Sequence, residues 1–195
     1  DEESFIGLLP GSRPGEIESL LPAMVDAARL IYQQFPEMNF ILPLASDRFR
    51  EMVDKIIEDS KGEVPIKIIT GHAYEVMDNS QLILAASGTA TLEAACLKTP
   101  MVIGYQTSLS TYYLGKLLTK IDYIGLPNII MGKEIVPEFL QKEVTGQNLA
   151  EAALKLLKDE DRLEEMKEEL ARVRKALGEA GAVKRVANLI SDTLE

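Results

Sequence analysis

Five short apolar runs, each followed by a stretch of helical periodicity, constrain this chain more than any other feature. They are Phe5–Pro10, Asn39–Leu44, Pro65–Ile69, Leu82–Ala86 and Met101–Tyr105. The segments between them predict helices over Glu16–Phe35, Asp47–Ser60, Ala73–Asn79, Thr91–Leu97 and Leu109–Lys120. In the first of these, Ile17, Leu20, Leu21, Met24, Ala27, Ala28 and Ile31 recur on one face. Strands that alternate with helices require right-handed crossovers and a mainly parallel sheet covered on both faces. Ile124–Met131 reads as a sixth strand, broken by Pro127. From Gln147 the pattern is helical throughout, with Leu149, Ala152, Ala153, Leu156 and Leu157 as one stripe. A charged helix over Asp161–Leu177, a Gly178–Gly181 break and a last helix over Val183–Leu194 complete the chain. The expected fold is therefore α/β: a Rossmann-like, mainly parallel sheet of about six strands, helices on both faces, and C-terminal helices.

Within that frame, Ser87-Gly88-Thr89-Ala90-Thr91 joins the run Leu82–Ala86 to a helix. A small-residue turn there exposes free helix N–H groups at the carboxyl end of a strand, where open parallel sheets bind ligands. Those N–H groups and the helix dipole favour an anion, phosphate above all. Thr89 and Thr91 add hydroxyl donors, although Ser and Thr are also common as plain helix caps. Gly11-Ser12-Arg13 repeats the arrangement after the first strand, and the planar Arg13 fork suits phosphate. Glu16 then falls in the first turn of a helix, where the dipole favours a carboxylate without any further role. Glu93, on the first turn of the central helix, could accept hydrogen bonds from a ribose diol, or be a dipole-stabilised surface residue. Asn128, at the Pro127 break in the last expected strand, and Glu138 and Gln141 after that strand read as sugar-hydroxyl partners or as turn and cap residues.

A formal net charge of −10 argues against nucleic acid as a partner. One cysteine excludes an internal disulfide, and Cys96 reads as a small buried thiol in an Ala-rich helix. The lone histidine, His72, lies in a turn and reads as incidental. No P-loop, dinucleotide fingerprint, metal-ligand spacing or Ser/His/Asp set occurs, so neither a metal nor a cofactor is expected. No apolar window approaches the ~20 residues of a membrane span. Leu109, Tyr112, Tyr113, Leu117 and Leu118, with Lys116 and Lys120, form an amphipathic segment, either core-packed or lipid-facing. The chain opens on Asp1-Glu2-Glu3 and enters a strand at once, which suggests a piece of something longer.

Taken together these residues resemble the lipid-A-disaccharide synthase family of B-type glycosyltransferases. The matching blocks, in the family's order, are Leu8–Arg13 with Glu16-Ile17 and Leu20-Leu21-Pro22; Ala86–Glu93; Pro100-Met101-Val102 with Tyr105; Gly125–Ile129; and Val136-Pro137-Glu138 with Leu140-Gln141. The resemblance covers the family's C-terminal half. It implies transfer of 2,3-diacylglucosamine from its UDP derivative to 2,3-diacylglucosamine 1-phosphate (lipid X), releasing UDP at the cytoplasmic face of the membrane. It also implies a donor-binding domain over 1–177 and a crossing helix over 178–195, the general base lying in an absent N-terminal domain. Gly11, Ser12, Arg13, Ser87, Gly88, Thr89, Ala90, Thr91 and Glu93 would then hold the nucleotide, and Glu16, Asn128, Glu138 and Gln141 the donor sugar or the site's framework. Alternatives are another UDP-sugar enzyme, similar to UDP-N-acetylglucosamine 2-epimerase or peptidoglycan glucosaminyltransferase, or a non-catalytic nucleotide-binding module. The apolar face Val186, Leu189, Ile190 and Leu194 of the last helix predicts self-association or disorder without the other domain.

Overall fold

The structure, a computed structural model, describes residues 4–60, 63–107, 122–179, 181, 184–187 and 190–191. β1 (Phe5–Leu9), β2 (Asn39–Leu44), β3 (Ile66–Thr70), β4 (Leu82–Ala86), β5 (Met101–Tyr105) and β6 (Glu138–Leu140) form one sheet in the order β3-β2-β1-β4-β5-β6. All five pairings are parallel, with Gly7 opposite both Ile41 and Ile83. The central strands β1 and β4 are almost wholly buried, which is why they read as continuous apolar runs; at the edge, β3 alternates between partial burial and exposure.

The helices are α1 (Pro14–Tyr32), α2 (Arg50–Asp59, after a 3-10 turn at Asp47–Phe49), α3 (Ala73–Asn79), α4 (Thr89–Leu97), α5 (Leu126–Met131), α6 (Gly146–Leu157) and α7 (Glu160–Ala176). α1 packs on α2 and α6, while α4 packs on α3, α5 and α7, so the sheet lies between two helical layers. α1 continues through Pro22. A proline inside a helix costs about 3 kcal/mol, yet Leu20, Leu21, Met24 and Ile31 are essentially inaccessible. At about 1.5–3 kcal/mol for each buried large side chain, the packed face outweighs the break.

The expected sixth strand at Ile124–Met131 is corrected. Leu126–Met131 is a helix, and the sixth strand is Glu138–Leu140. Pro127 sits in the first turn, where its missing N–H is not needed, so the residue that would break a strand instead starts a helix. The predicted helix Leu109–Lys120 and its aromatic face lie outside the described residues. Of the last predicted helix, residues 184–187 and 190–191 are described and helical. Val186 and Ile190 there are more than half exposed; Leu189 and Leu194 lie outside the described residues. Among the described residues, no helix is long and apolar enough to cross a membrane.

Candidate functional site

The strand order reverses between β1 and β4, because β1 leads to β2 on one side and β4 to β5 on the other. Neighbouring loops diverge there and leave a crevice at the carboxyl edge. A cleft of about 330 Å³ opens at this point, at the small end of the range for ligand pockets. It is lined from the β1 side by Gly11, Ser12, Arg13 and Glu16, and from the β4 side by Ser87 to Ala90 and Glu93. The fold thus brings together the two loops that the sequence singles out separately.

The β1 loop is shaped by Glu16. Its Oε2 accepts from the backbone N–H of Ser12 at 3.0 Å and of Arg13 at 3.3 Å, and its Oε1 accepts from Arg13 at 2.9 Å. Gly11 has φ 109°, and a side chain there would also run into the Glu16 carboxylate. Glu16 therefore tethers the loop, whereas the Arg13 side chain remains 81% exposed.

On the β4 side, α4 starts at Thr89, with Gly88 as its cap. One of the two expected hydroxyl donors, Thr91, is engaged within the fold, and so is the Ser87 hydroxyl. Thr91 is fully buried and donates to the Gly88 carbonyl at 2.7 Å; Ser87 donates to the Ile124 carbonyl at 3.0 Å. The Ser87 backbone N–H donates to Gly104 at 2.9 Å. Thr89 remains an exposed hydroxyl; the Thr91 N–H already donates to the Gly88 carbonyl at 3.1 Å, and Thr89 and Ala90, the first two residues of α4, line the cleft with the N–H groups that a helix start leaves for a ligand. Glu93 lies beyond the first turn of α4 but still lines the cleft.

Asn128, Glu138 and Gln141 fall beside the cleft and outside its lining. Asn128 is fully buried: Oδ1 accepts from the N–H groups of Ile135 and Val136, and Nδ2 donates to the Val136 carbonyl and to Glu138. Glu138 in turn accepts from the N–H groups of Ile124 at 2.9 Å and Gly125 at 2.8 Å. These bonds hold the same loop that fixes Ser87. Gln141, left-handed at φ 53°, accepts from Gln106 through its carbonyl, and its side-chain oxygen accepts from the Thr107 N–H.

The sequence reading did not single out Tyr74, at the start of α3. Its phenol donates to Glu93 Oε1 at 2.9 Å. That hydrogen bond, with the charge of Glu93 behind it and slight desolvation, raises the Tyr74 pKa above its ordinary 10.0. A tyrosine one residue past a turn on the carboxyl edge is the signal that was available. His72 caps α3 in the left-handed region and pairs with Glu75 at 3.3 Å, outside the cleft lining. The Glu75 carboxyl is held below its ordinary range by its own backbone N–H and by His72. Cys96 is partly exposed, not the buried thiol expected.

Fold and cleft define a Rossmann-like α/β domain with a ligand cleft at the switch point of its parallel sheet. A pneumococcal O-GlcNAc transferase in complex with UDP and GlcNAc shares the fold, with a TM-score of 0.61 at 15% identity over 99% of this chain and 36% of that one. UDP-GlcNAc 2-epimerase from Neisseria meningitidis bound to UDP-GlcNAc gives 0.60 at 19% identity, over 100% of this chain and 45% of that one. The sequence profile of the lipid-A-disaccharide synthetase family matches residues 1–191, and the chain belongs to that family. The lipid-A-disaccharide synthase of Persephonella marina is 42% identical over 98% of this chain and 51% of its own length. The chain spans about half the length of the curated relatives it matches.

Proposed function

We propose that this chain is the donor-binding domain of a lipid-A-disaccharide synthase, and that the switch-point cleft holds the UDP of UDP-2,3-diacylglucosamine. The observation that carries this is the meeting of the Arg13 loop and the α4 start in one cleft, within a chain of this family. Departure of the sugar leaves negative charge on the UDP oxygens, so the useful catalysis here is electrostatic stabilisation of that charge. Arg13 and the opening N–H groups of α4 supply it, with Thr89 as a hydroxyl donor. Glu93 accepts from the ribose diol. Gly11, Ser12, Ser87, Gly88, Ala90 and Thr91 shape the phosphate turns. Glu16, Asn128, Glu138 and Gln141 support the surrounding loops.

The acceptor, lipid X, and the general base belong to the part of the relatives that this chain does not span. Residues 1–177 are the donor domain and 178–195 the helix that crosses to the other half; the exposed Val186 and Ile190 support this division. The same reading places the enzyme at the cytoplasmic membrane face. The epimerase reading is not favoured, since at 19% identity that likeness extends to the fold alone.

Radiolabelled transfer tests the proposal. The chain alone should give no disaccharide, and adding the N-terminal half of a relative should restore transfer. Robust turnover by the chain alone would contradict the division of labour. Binding of UDP with no transfer in the complemented mixture would contradict the assignment as a synthase.

A further inference from the structure

Among the described residues, Glu93 is the only carboxylate on the α4 side of the cleft lining. A glutamate with two free oxygens and three rotatable bonds is a poor fixed acceptor, because it populates several rotamers. A second group must select the rotamer that faces the ligand. Among the described residues, the side chain bonded to Glu93 is that of Tyr74, at 2.9 Å.

We propose that Tyr74 is a positioning residue for the nucleoside: its phenol, donated from α3 to Oε1 of Glu93, fixes that carboxylate so that its remaining acceptor sites meet the ribose diol. This rests on the assignment of the cleft to UDP. A carboxylate has about four lone-pair sites, and the phenol fills one of them. Oε2 and the second site on Oε1 therefore stay open. The donor comes from the neighbouring element at the same sheet edge, and Ala73, the residue before it, itself lines the cleft. Tyr74 is 57% exposed and lies outside the buried core, so removing its hydroxyl leaves core packing untouched. A tyrosine phenol is protonated, and so a donor, throughout the neutral range, and the bond to Glu93 shifts its pKa further in that direction.

The test is calorimetric titration of the wild-type chain, Tyr74→Phe and Glu93→Gln with UDP and with the 2′,3′-dideoxy analogue, with melting temperatures alongside. The wild type should prefer UDP. Tyr74→Phe should weaken UDP about five- to tenfold, the loss of roughly one hydrogen bond, and leave the dideoxy analogue within about twofold. On a Glu93→Gln background the tyrosine substitution should add much less. A merely structural role would move both ligands equally, and that result overturns the inference. Unchanged or tighter UDP binding in Tyr74→Phe also overturns it, because the phenol would then be a bystander or a competitor. Failure of the wild type to bind UDP at all would instead remove the reading of the cleft on which the inference depends.

Discussion

At the scale of single residues, the cleft is built from polar groups already committed to one another. Ser87 and Thr91 have the residue types of phosphate ligands, but each hydroxyl donates to a backbone carbonyl within the fold, and the Glu16 carboxylate accepts from backbone N–H groups of its own loop. Arg13 and Thr89 remain exposed and available to a ligand. Asn128 marks the opposite extreme. Its side chain makes four hydrogen bonds inside a buried corner, two of them to the N–H groups of Ile135 and Val136. Leaving a buried donor unpaired costs about 1–3 kcal/mol. Asn128→Ala should therefore lower stability by about 3 kcal/mol, read as a lower urea midpoint with an unchanged slope. A loss under about 1 kcal/mol would show that the corner rearranges and that Asn128 is not its support. None of this is visible in a sequence, where Asn128 could equally be a sugar ligand. Only the buried backbone around it distinguishes the two.

Elements were legible wherever burial imposes a pattern. β1, β2, β4 and β5 announce themselves as apolar runs because helices cover both faces of the sheet. α1 is readable through Pro22 because its buried stripe is strong. The misreading falls at Leu126–Met131, where an apolar run containing proline fits an edge strand or a short buried helix equally well. Length and periodicity cannot separate them over six residues. Gly146 shows a contact that periodicity never reports. A Cβ on this first residue of α6 would press against the Asp26 side chain and lie 3.1 Å from the Asp26 carbonyl carbon on α1. Because backbone is involved, α1 and α6 must separate to admit a methyl group. Gly146→Ala should destabilise the protein by about 1–3 kcal/mol, despite alanine's better helix propensity. Thermal unfolding decides between them: a raised melting temperature would mean that propensity outweighs the close approach.

Across the whole molecule, the sheet order is what turns two ordinary strand–turn–helix loops into one site. β1 and β4 lie 77 residues apart at Phe5 and Leu82 yet pair directly, from Ile6 with Leu82 to Leu9 with Ala85. The sequence could suggest two anion-seeking loops but not their adjacency, which depends on strand order. The central claim, that this cleft receives UDP, is tested most directly by following backbone amide resonances during titration with UDP. Saturable shifts should cluster at Gly11–Arg13 and Gly88–Ala90, and Arg13→Ala should weaken the affinity about tenfold, close to 1.4 kcal/mol. Shifts confined to another face, or no saturable change at millimolar UDP, would contradict the account.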